Sequence, residues 1–393
     1  MEPLENVIQP YAWGSRSAIA ALQGRPVPSS GPEAELWMGA HPLAPSRIAA
    51  RGATLAELIA TSPEMSLGTR SLTAHGPTLP FLLKVLAADQ PLSLQAHPDL
   101  AQAREGFARE EAARIARDAP NRSYKDPNHK PELICALTEF DALCGFRPAR
   151  ESIALLDALG AAELAPYRDA LARAPSAAGL RSMFTSLFDL AVDARKALVA
   201  AVVAAAATRA SEGPFARAFD WTRRFDELYP GDIGVIVALM LRDVRLNPGE
   251  ALYLPAGNLH AYVHGVGVEI MASSDNVLRG GLTPKHVDVA ELTRVLDFSE
   301  AEIPIVHPEE QGRLHVYRTP AREFELSRVA VTSTETAVRA EGPEILLCTE
   351  GHVIVTRGSE RHEMQGGASL FVPADTGAYA LRGIGTIYRA AVP

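Results

Sequence analysis

The chain has 393 residues, of which 47% are hydrophobic and 22% charged, and its formal net charge at pH 7 is −9. This composition is typical of a globular protein with two or three domains, and it excludes a disordered or fibrous chain. The negative charge also argues against non-specific nucleic-acid binding, which requires a basic surface.

The N-terminal region mixes aromatic residues with turn formers in two short runs, 9–15 and 35–39. Such runs predict β-hairpins and loops, not helix. An almost continuous apolar strand is predicted at 80–88, and Lys84 is the single cation within it.

Asp99 is a plausible helix N-cap, and the segment 100–119 that follows it is rich in Ala, Arg and Glu. This pattern predicts a helix that Pro120 ends. A polar loop, 121–132, then leads into an apolar strand at 133–137.

From about 151 to 227 the sequence is rich in Ala and Leu and has no β-branched alternation. It predicts three or four helices in an inserted domain, one of them ending at Gly160. Strand-like sequence returns at 231–240 and continues through 244–260. A short helix at about 288–296 precedes an all-β tail.

An internal repeat aligns 249–260 without gaps on 367–378. Both copies have the pattern of a strand, a turn and a second strand, so two related β-domains are predicted. The first copy resembles the second cupin signature, G-x5-P-x-G-x2-H, with His260 in the metal-ligand position and His264 where that family usually has Asn. The second copy has Ala378 in place of the His, so we expect only the first barrel to use this position for metal.

The predicted fold is therefore mainly β with a helical insertion, and it consists of two cupin-like jelly-roll domains plus an α-helical domain. The metal-binding catalytic domain is predicted to comprise 1–148 and 231–300, and the helical domain 149–230. The segment 301–393 is the C-terminal cupin-like domain that lacks the ligand His.

Polar side chains alternate along an extended stretch at Ser93, Gln95 and His97 and so point to the same face. A Gln and a His at this spacing can reach one metal ion, but a polar strand face is more often a wet edge or a hydrogen-bonded pair. Glu132 and His260 supply distant partners of the right type, because zinc accepts imidazole together with carboxylate or amide oxygen.

Four motifs in this order resemble the type I mannose-6-phosphate isomerases, namely 95–99, 129–132, 255–262 and 274–285, and 9–14 adds a fifth. The resemblance is strong over roughly the first three quarters of the chain and is limited to architecture in the tail.

One departure from the family pattern is Gly280-Gly281-Leu282, which replaces a more usual Ala/Gly-Phe pattern. We expect it to alter loop rigidity without removing a ligand.

The resemblance implies a zinc-dependent aldose-ketose isomerase that interconverts D-mannose 6-phosphate and D-fructose 6-phosphate. One Zn²⁺ per chain would be bound by Gln95, His97, Glu132 and His260. The resemblance also implies an active-site role for Arg279 and substrate contacts for Lys130 and Lys285, in a monomer whose partner is a small sugar phosphate.

Moving a proton between C2 and C1 through an enediol or enediolate requires a base, a group that stabilises negative oxygen and a phosphate anchor. Arg279 and Lys285 are candidate anchors. The base stays open among Glu269, His129, Lys130, Lys84 and Asp275. The candidate substrate contacts are Ser93, Lys84, His129, Lys285 and Tyr262.

Two alternatives stay open: a cupin isomerase acting on another sugar or sugar phosphate, and a non-catalytic sugar-binding cupin. The three cysteines have no CxxC spacing and no even count, which fits a reducing cytoplasm. The longest apolar run, 197–207, is far too short for a membrane span, and no charged-then-apolar leader opens the chain. We therefore expect a cytoplasmic protein without a membrane anchor.

Overall fold

The computed structural model describes residues 1–209, 213–300 and 303–393. The strands that precede the helical domain are β1 (Glu2–Leu4), β2 (Val7–Gln9), β3 (Glu35–Met38), β4 (Arg47–Ile48), β5 (Ala53–Thr54), β6 (Phe81–Ala88), β7 (Leu94–Ala96), β8 (Glu132–Ala136) and β9 (Phe140–Phe146). The strands that follow it are β10 (Leu241–Leu246), β11 (Ala251–Leu254), β12 (His260–Ala272), β13 (Leu278–Gly281), β14 (Ile305–Val306), β15 (Glu309–Gln311), β16 (Leu314–Tyr317), β17 (Glu325–Val331), β18 (Thr336–Arg339), β19 (Glu344–Arg357), β20 (Glu360–Gln365), β21 (Ser369–Val372) and β22 (Ala378–Ala391).

The α-helices of the described residues are α1 (Ala18–Leu22), α2 (Leu55–Thr61), α3 (Pro63–His75), α4 (Leu100–Ala112), α5 (Ala149–Leu159), α6 (Ala165–Arg173), α7 (Ala177–Phe188), α8 (Val192–Ala207), α9 (Ala216–Leu228), α10 (Gly234–Leu239) and α11 (Val289–Val295). Within the described ranges, no helix is both long and apolar enough to cross a membrane.

Most strands belong to two large sheets. The sheet that contains β2, β3 and β6 to β14 is centred on β12, which pairs with β6, β7, β8 and β9. The second sheet contains β1 and β15 to β22. Apolar side chains of both sheets, such as Val85, Ile270, Ile345 and Tyr388, pack into one buried cluster. The prediction of a mainly β fold with a helical insertion is confirmed.

Two short strands cross the predicted division between the β-domains. β1 pairs antiparallel with β21, so Glu2 lies opposite Phe371. β14 pairs with β11 of the other sheet. The proposed boundary at 300/301 adjoins 301–302, which lie outside the described residues, and the division itself stays a prediction.

The structure matches the predicted repeat. β11 and the start of β12 correspond to β21 and the start of β22, so His260 and Ala378 occupy the same place, each as the first residue of a long strand. Gly249 and Gly367 precede the shorter strands with positive φ values of 89° and 79°. A left-handed turn at this point favours glycine, which explains why both copies retain it.

The prediction for α4 is correct at its start and wrong at its end. Asp99 caps the helix and forms a capping box with Gln102. The helix ends at Ala112 instead of Ala119, because Arg114 has a left-handed φ of 56° and the N–H of Ile115 bonds back to the carbonyl of Glu110. No Gly signals this turn in the sequence.

The prediction of a strand at 231–240 is wrong, because this segment contains the helix α10. All six residues of α10 are buried. A short apolar run of this kind fits a buried helix as well as a buried strand, so periodicity cannot distinguish them.

The helical domain contains α5 to α9, one helix more than the upper limit of the prediction. Gly160 does end α5, with a left-handed φ of 69°. The run 197–207 lies inside α8, as expected. At the N terminus, α1 lies unpredicted between the two hairpin segments.

Candidate metal centre and active-site cleft

Three side chains from separate parts of the chain meet in the first β-domain. His97, Glu132 and His260 are 2%, 2% and 1% exposed, and each offers a ligand atom within 4.8 Å of the others. His97 Nε2 lies 3.4 Å from Glu132 Oε1, and His260 Nε2 lies 3.5 Å from Glu132 Oε2. Cysteine takes no part in this group.

Sheet register explains the meeting. His260 begins β12 and lies opposite Gln95 of β7, while Glu132 begins β8 and lies opposite Met271 further along β12. His97 follows β7 directly, and its carbonyl accepts the Gly257 N–H at 2.8 Å. One long strand thus aligns the segments that supply all three side chains.

The hydrogen bonds of the two imidazoles define which nitrogens are free. His97 Nδ1 donates to the Asn276 carbonyl at 2.7 Å, and His260 Nδ1 donates to the Asn258 carbonyl at 3.0 Å, since a carbonyl oxygen can only accept. In a neutral imidazole held this way, Nε2 is the nitrogen that keeps a free lone pair. Neither Nε2, nor Glu132 Oε2, finds a hydrogen-bond partner in the described part of the chain. Metal-binding histidines are commonly oriented in this way.

The charge states also suit a cation. Burial lowers the pKa of His97 to about 4, so its imidazole is neutral at pH 7. Burial alone would raise the pKa of Glu132, but the neighbouring Lys130 ammonium and His97 hold that pKa well below its usual range. Lys130 Nζ lies 3.1 Å from Glu132 Oε1. Two imidazoles that each bind a divalent ion through a lone pair carry no charge, so together with one carboxylate they would leave the ion with net positive charge.

A cleft of about 480 Å³ adjoins this group. Seven of the predicted site residues line it: Ser93, Gln95, Lys84, Lys130, Asp275, Arg279 and Lys285. Glu269 lies beneath Lys84, just as Glu132 lies beneath Lys130. The structure therefore brings together most of the side chains that were selected from distant motifs.

Lys84 is held between two buried carboxylates. Its Nζ lies 2.9 Å from Glu269 Oε2 and 3.6 Å from Glu35 Oε1. Burial alone would lower the pKa of Lys84, but the Glu269 and Glu35 carboxylates raise it above its ordinary value. Lys84 is thus an ammonium at neutral pH and a hydrogen-bond donor. This charge state argues against Lys84 as the base.

Glu269 has the opposite environment. Burial raises its pKa, and the nearby Glu132 and Glu35 charges act in the same direction, whereas Lys84 opposes them.

Asp275 lines the cleft and faces His41, whose Nε2 lies 3.3 Å from Asp275 Oδ1. The Leu43 N–H donates to His41 Nδ1, so Nε2 carries the proton that faces the carboxylate. Burial alone would raise the pKa of Asp275, but His41 and Lys130 lower it.

Family profiles match both ends of the chain. The profile for the phosphomannose isomerase type I catalytic domain matches residues 1–149, and that for the mannose-6-phosphate isomerase cupin domain matches 316–392. The chain is 39% identical to the mannose-6-phosphate isomerase of Escherichia coli K12 over 99% of both chains. It belongs to the type I phosphomannose isomerase family.

Other members of the family agree in sequence and in structure. The mannose-6-phosphate isomerase of Mus musculus is 32% identical over 95% of this chain and 93% of its own length. A crystal structure of mannose 6-phosphate isomerase bound with zinc and yttrium superposes with a TM-score of 0.93 at 37% identity, covering 100% of this chain and 99% of that one. The resemblance to type I mannose-6-phosphate isomerases that the motifs indicated is confirmed.

Two predicted substrate contacts of this phosphomannose isomerase family member lie away from the cleft wall. His129 Nε2 contacts Glu323 Oε1 at 2.7 Å, which places the imidazole against a loop of the second β-domain. Tyr262 is 1% exposed and packs edge-on against Phe140, next to His260. His264, the extra imidazole near the cupin signature, is exposed.

Several cleft residues escaped the sequence interpretation. Glu35, His41, Lys125 and Tyr229 line the cleft without having been assigned a role. Tyr229 comes from the end of the helical domain. Lysine scarcity was a usable signal for Lys125, because only five of the 38 basic residues are lysines. No comparable signal distinguished Glu35 or His41.

Proposed function

We propose that this chain is a zinc-dependent aldose-ketose isomerase that interconverts D-mannose 6-phosphate and D-fructose 6-phosphate. A proton would move between C1 and C2 through an enediol or enediolate. The observation on which the proposal depends is the buried group of His97, Glu132 and His260, with its unpaired ligand atoms next to a cation-lined cleft. Full-length similarity to enzymes named for this reaction supports the choice of substrate.

The donor set fits a zinc ion, since zinc combines imidazole and carboxylate ligands and keeps a coordination position open in catalytic sites. His97, Glu132 and His260 would bind it, with Gln95 as a fourth, neutral ligand from the cleft wall. When bound, the ion supplies positive charge that polarises a carbonyl and stabilises negative oxygen. Asn276 and Asn258 orient the two imidazoles through their backbone carbonyls.

Arg279 and Lys285 are proposed to bind the phosphate. Both line the cleft, and among the described residues no carboxylate acts on the pKa of either group. Burial lowers the pKa of both groups, and for Lys285 the positive charges of Arg279 and Lys125 lower the pKa further. A phosphate dianion would relieve this repulsion through charge-assisted hydrogen bonds.

We assign the general base to Asp275. It lines the cleft as an ionised carboxylate, whereas Glu269 lies below the wall and is paired with Lys84. The Lys130 and Lys84 ammonium groups would donate hydrogen bonds to the sugar oxygens on which charge develops, and Ser93 would donate another. Tyr262 and His129, which lie off the cleft wall, would act on the substrate only through their neighbours.

The decisive test compares the metal content and activity of purified His260→Ala with those of His264→Ala. Both changes remove an imidazole from β12, but His264 is exposed. We expect His260→Ala to lose the bound zinc and to lower kcat by about 100-fold or more, in the range by which removing a group that stabilises transition-state charge lowers kcat. His264→Ala should retain both. Full activity after complete removal of metal by a chelator would contradict the proposal.

A substrate panel tests the alternative that the cleft accepts another sugar. Turnover of mannose 6-phosphate should exceed that of unphosphorylated mannose, and Arg279→Ala and Lys285→Ala should reduce this preference. Equal turnover of both sugars would exclude a phosphate anchor.

We further propose that the protein is a monomer and that it resides in a reducing cytoplasm. The three buried free cysteines support the reducing compartment.

A further inference from the structure

The loop 281–285 forms a thin wall between two cavities. On one side Thr283, Pro284 and Lys285 line the active-site cleft of about 480 Å³. On the other side Thr283 and Lys285 also line a cavity of about 370 Å³, together with Arg195 of the helical domain and Gly231. Because there is open volume behind the loop, packing alone does not hold Lys285 in the cleft.

A carboxylate from the other side of this cavity binds the loop backbone. Asp232 lies between α9 and α10, and its Oδ1 accepts the N–H of Gly234 at 2.6 Å and that of Leu282 at 3.1 Å. Its Oδ2 accepts the Thr283 N–H at 3.3 Å. One side chain therefore ties the start of α10 to the start of the loop that bears Lys285.

Two glycines make this contact possible. A Cβ on Gly281 would lie 2.5 Å from Gly234 Cα, and a Cβ on Gly234 would lie 2.5 Å from the Leu282 nitrogen. The backbones of β13 and α10 therefore touch directly. The Gly280-Gly281-Leu282 departure, expected from sequence to alter the rigidity of the loop, occurs at the point where this contact forms.

The loop also adopts a backbone conformation that needs support. Leu282 is fully buried and has a left-handed φ of 53°, which is unfavourable for a residue with a branched side chain. The hydrogen bond from its own N–H to Asp232 holds it there. Beyond it, the Thr283 hydroxyl accepts the Lys285 N–H at 3.1 Å, which transmits this geometry to Lys285.

We infer that Asp232 is a positioning residue for the substrate phosphate: its carboxylate holds the backbone of the loop 281–285 between the cleft and the cavity behind it, so that Lys285 stays within reach of the cleft. The inference rests on the proposed function, which assigns Lys285 to the phosphate. It gives the connection between α9 and α10, directly after the helical domain, a part in substrate selection. Asp232 itself lines the cavity behind the loop and is not among the residues that line the cleft.

The test is a double-mutant cycle with Asp232→Ala, Lys285→Ala and the double variant, assayed on mannose 6-phosphate. The charge-assisted backbone bonds predict that KM rises about tenfold in Asp232→Ala, while kcat changes by less than about twofold. The inhibition constant of inorganic phosphate, used as a competitive inhibitor, should rise by the same factor. The double variant should bind phosphate no more weakly than Lys285→Ala does, because both changes disable the same contact with the phosphate.

Asp226→Ala is the matched control, since its carboxylate accepts the Gly231 N–H at 2.9 Å in the same segment but does not contact the loop. It should leave KM and the phosphate inhibition constant unchanged. If Asp232→Ala does not fold, Asp232→Asn replaces it, and amide hydrogen exchange supplies a second readout. Exchange at Leu282 and Thr283 should accelerate, whereas exchange at Gly231 should not.

Additive effects in the double variant, or an unchanged phosphate inhibition constant despite faster exchange at Leu282, would overturn the inference. A wild-type protein that does not isomerise mannose 6-phosphate would instead overturn the proposed function. In that case the cycle is measured by direct binding of inorganic phosphate, so the two failures are distinguishable.

Discussion

Replacing Lys84 with Met is expected to destabilise the protein strongly. The change keeps an unbranched apolar stem but leaves Glu269 and Glu35 without the ammonium that lies 2.9 Å and 3.6 Å from them. Removing one partner of a buried ion pair costs about 3–5 kcal/mol. Glu35 keeps a bond from Trp37 Nε1 at 2.6 Å, so most of the loss should fall on Glu269.

The loss should also depend on pH. Burial already raises the pKa of Glu269, and Lys84 is the neighbour that lowers it, so the variant should have a still higher pKa. When the folded pKa of a carboxyl exceeds its unfolded value of about 4.3, the free energy of unfolding falls as the pH rises from the unfolded pKa through the folded pKa. The reason is that the carboxyl ionises more readily in the unfolded chain than in the folded protein. The difference from wild type should therefore be smaller at about pH 5 than at about pH 8.

Urea unfolding at both pH values measures this effect, provided that the m-value is unchanged. Lys84→Met/Glu269→Gln should recover a substantial part of the lost stability, because the uncompensated charge is removed. Lys196→Met, at an exposed lysine of α8, is the control and should change little. An equal deficit at both pH values, with no recovery in the double variant, would refute the reasoning.

Three further predictions concern packing, a buried amide and the second barrel. Gly106→Ala should lower stability by about 1–3 kcal/mol in thermal unfolding, because its Cβ would lie 2.5 Å from the Tyr124 ring; an unchanged Tm would show that the ring can move aside. Asn276→Ala should lower the free energy of unfolding, measured in urea, by about 2–4 kcal/mol. The Asn276 amide oxygen accepts the Lys125 N–H at 2.7 Å, and its amide nitrogen donates to two carbonyls, at 2.7 and 2.8 Å. A smaller loss would indicate that water replaces the amide. Ala378→His should leave the zinc content, measured by mass spectrometry of the native protein, at one per chain, because the only group of three potential ligands in the described ranges is the one containing His260. A second zinc would contradict this.

Much of the fold and the metal group followed from local sequence signals. The apolar run of β6, the Asp99 cap of α4 and the repeat that includes His260 each depend on neighbours in the chain. The α10 helix did not follow, because six buried residues have no amphipathic period to detect. The roles of Glu35 and His41 depend on contacts with Lys84 and Asp275, which are distant in sequence. Such pairings become visible only when the sheet register is known.

The pairing of β1 with β21 has a consequence for folding. The second sheet gains its outer strand, β1, from residues at the opposite end of the described chain. Because the paired strands are so far apart in sequence, we expect β1 to pair with β21 late and slowly during folding. Until β1 arrives, β21 presents an unpaired edge that can recruit a strand from another molecule. A separately expressed C-terminal β-domain should therefore aggregate, and fusing β1 to it through a flexible linker should restore its solubility.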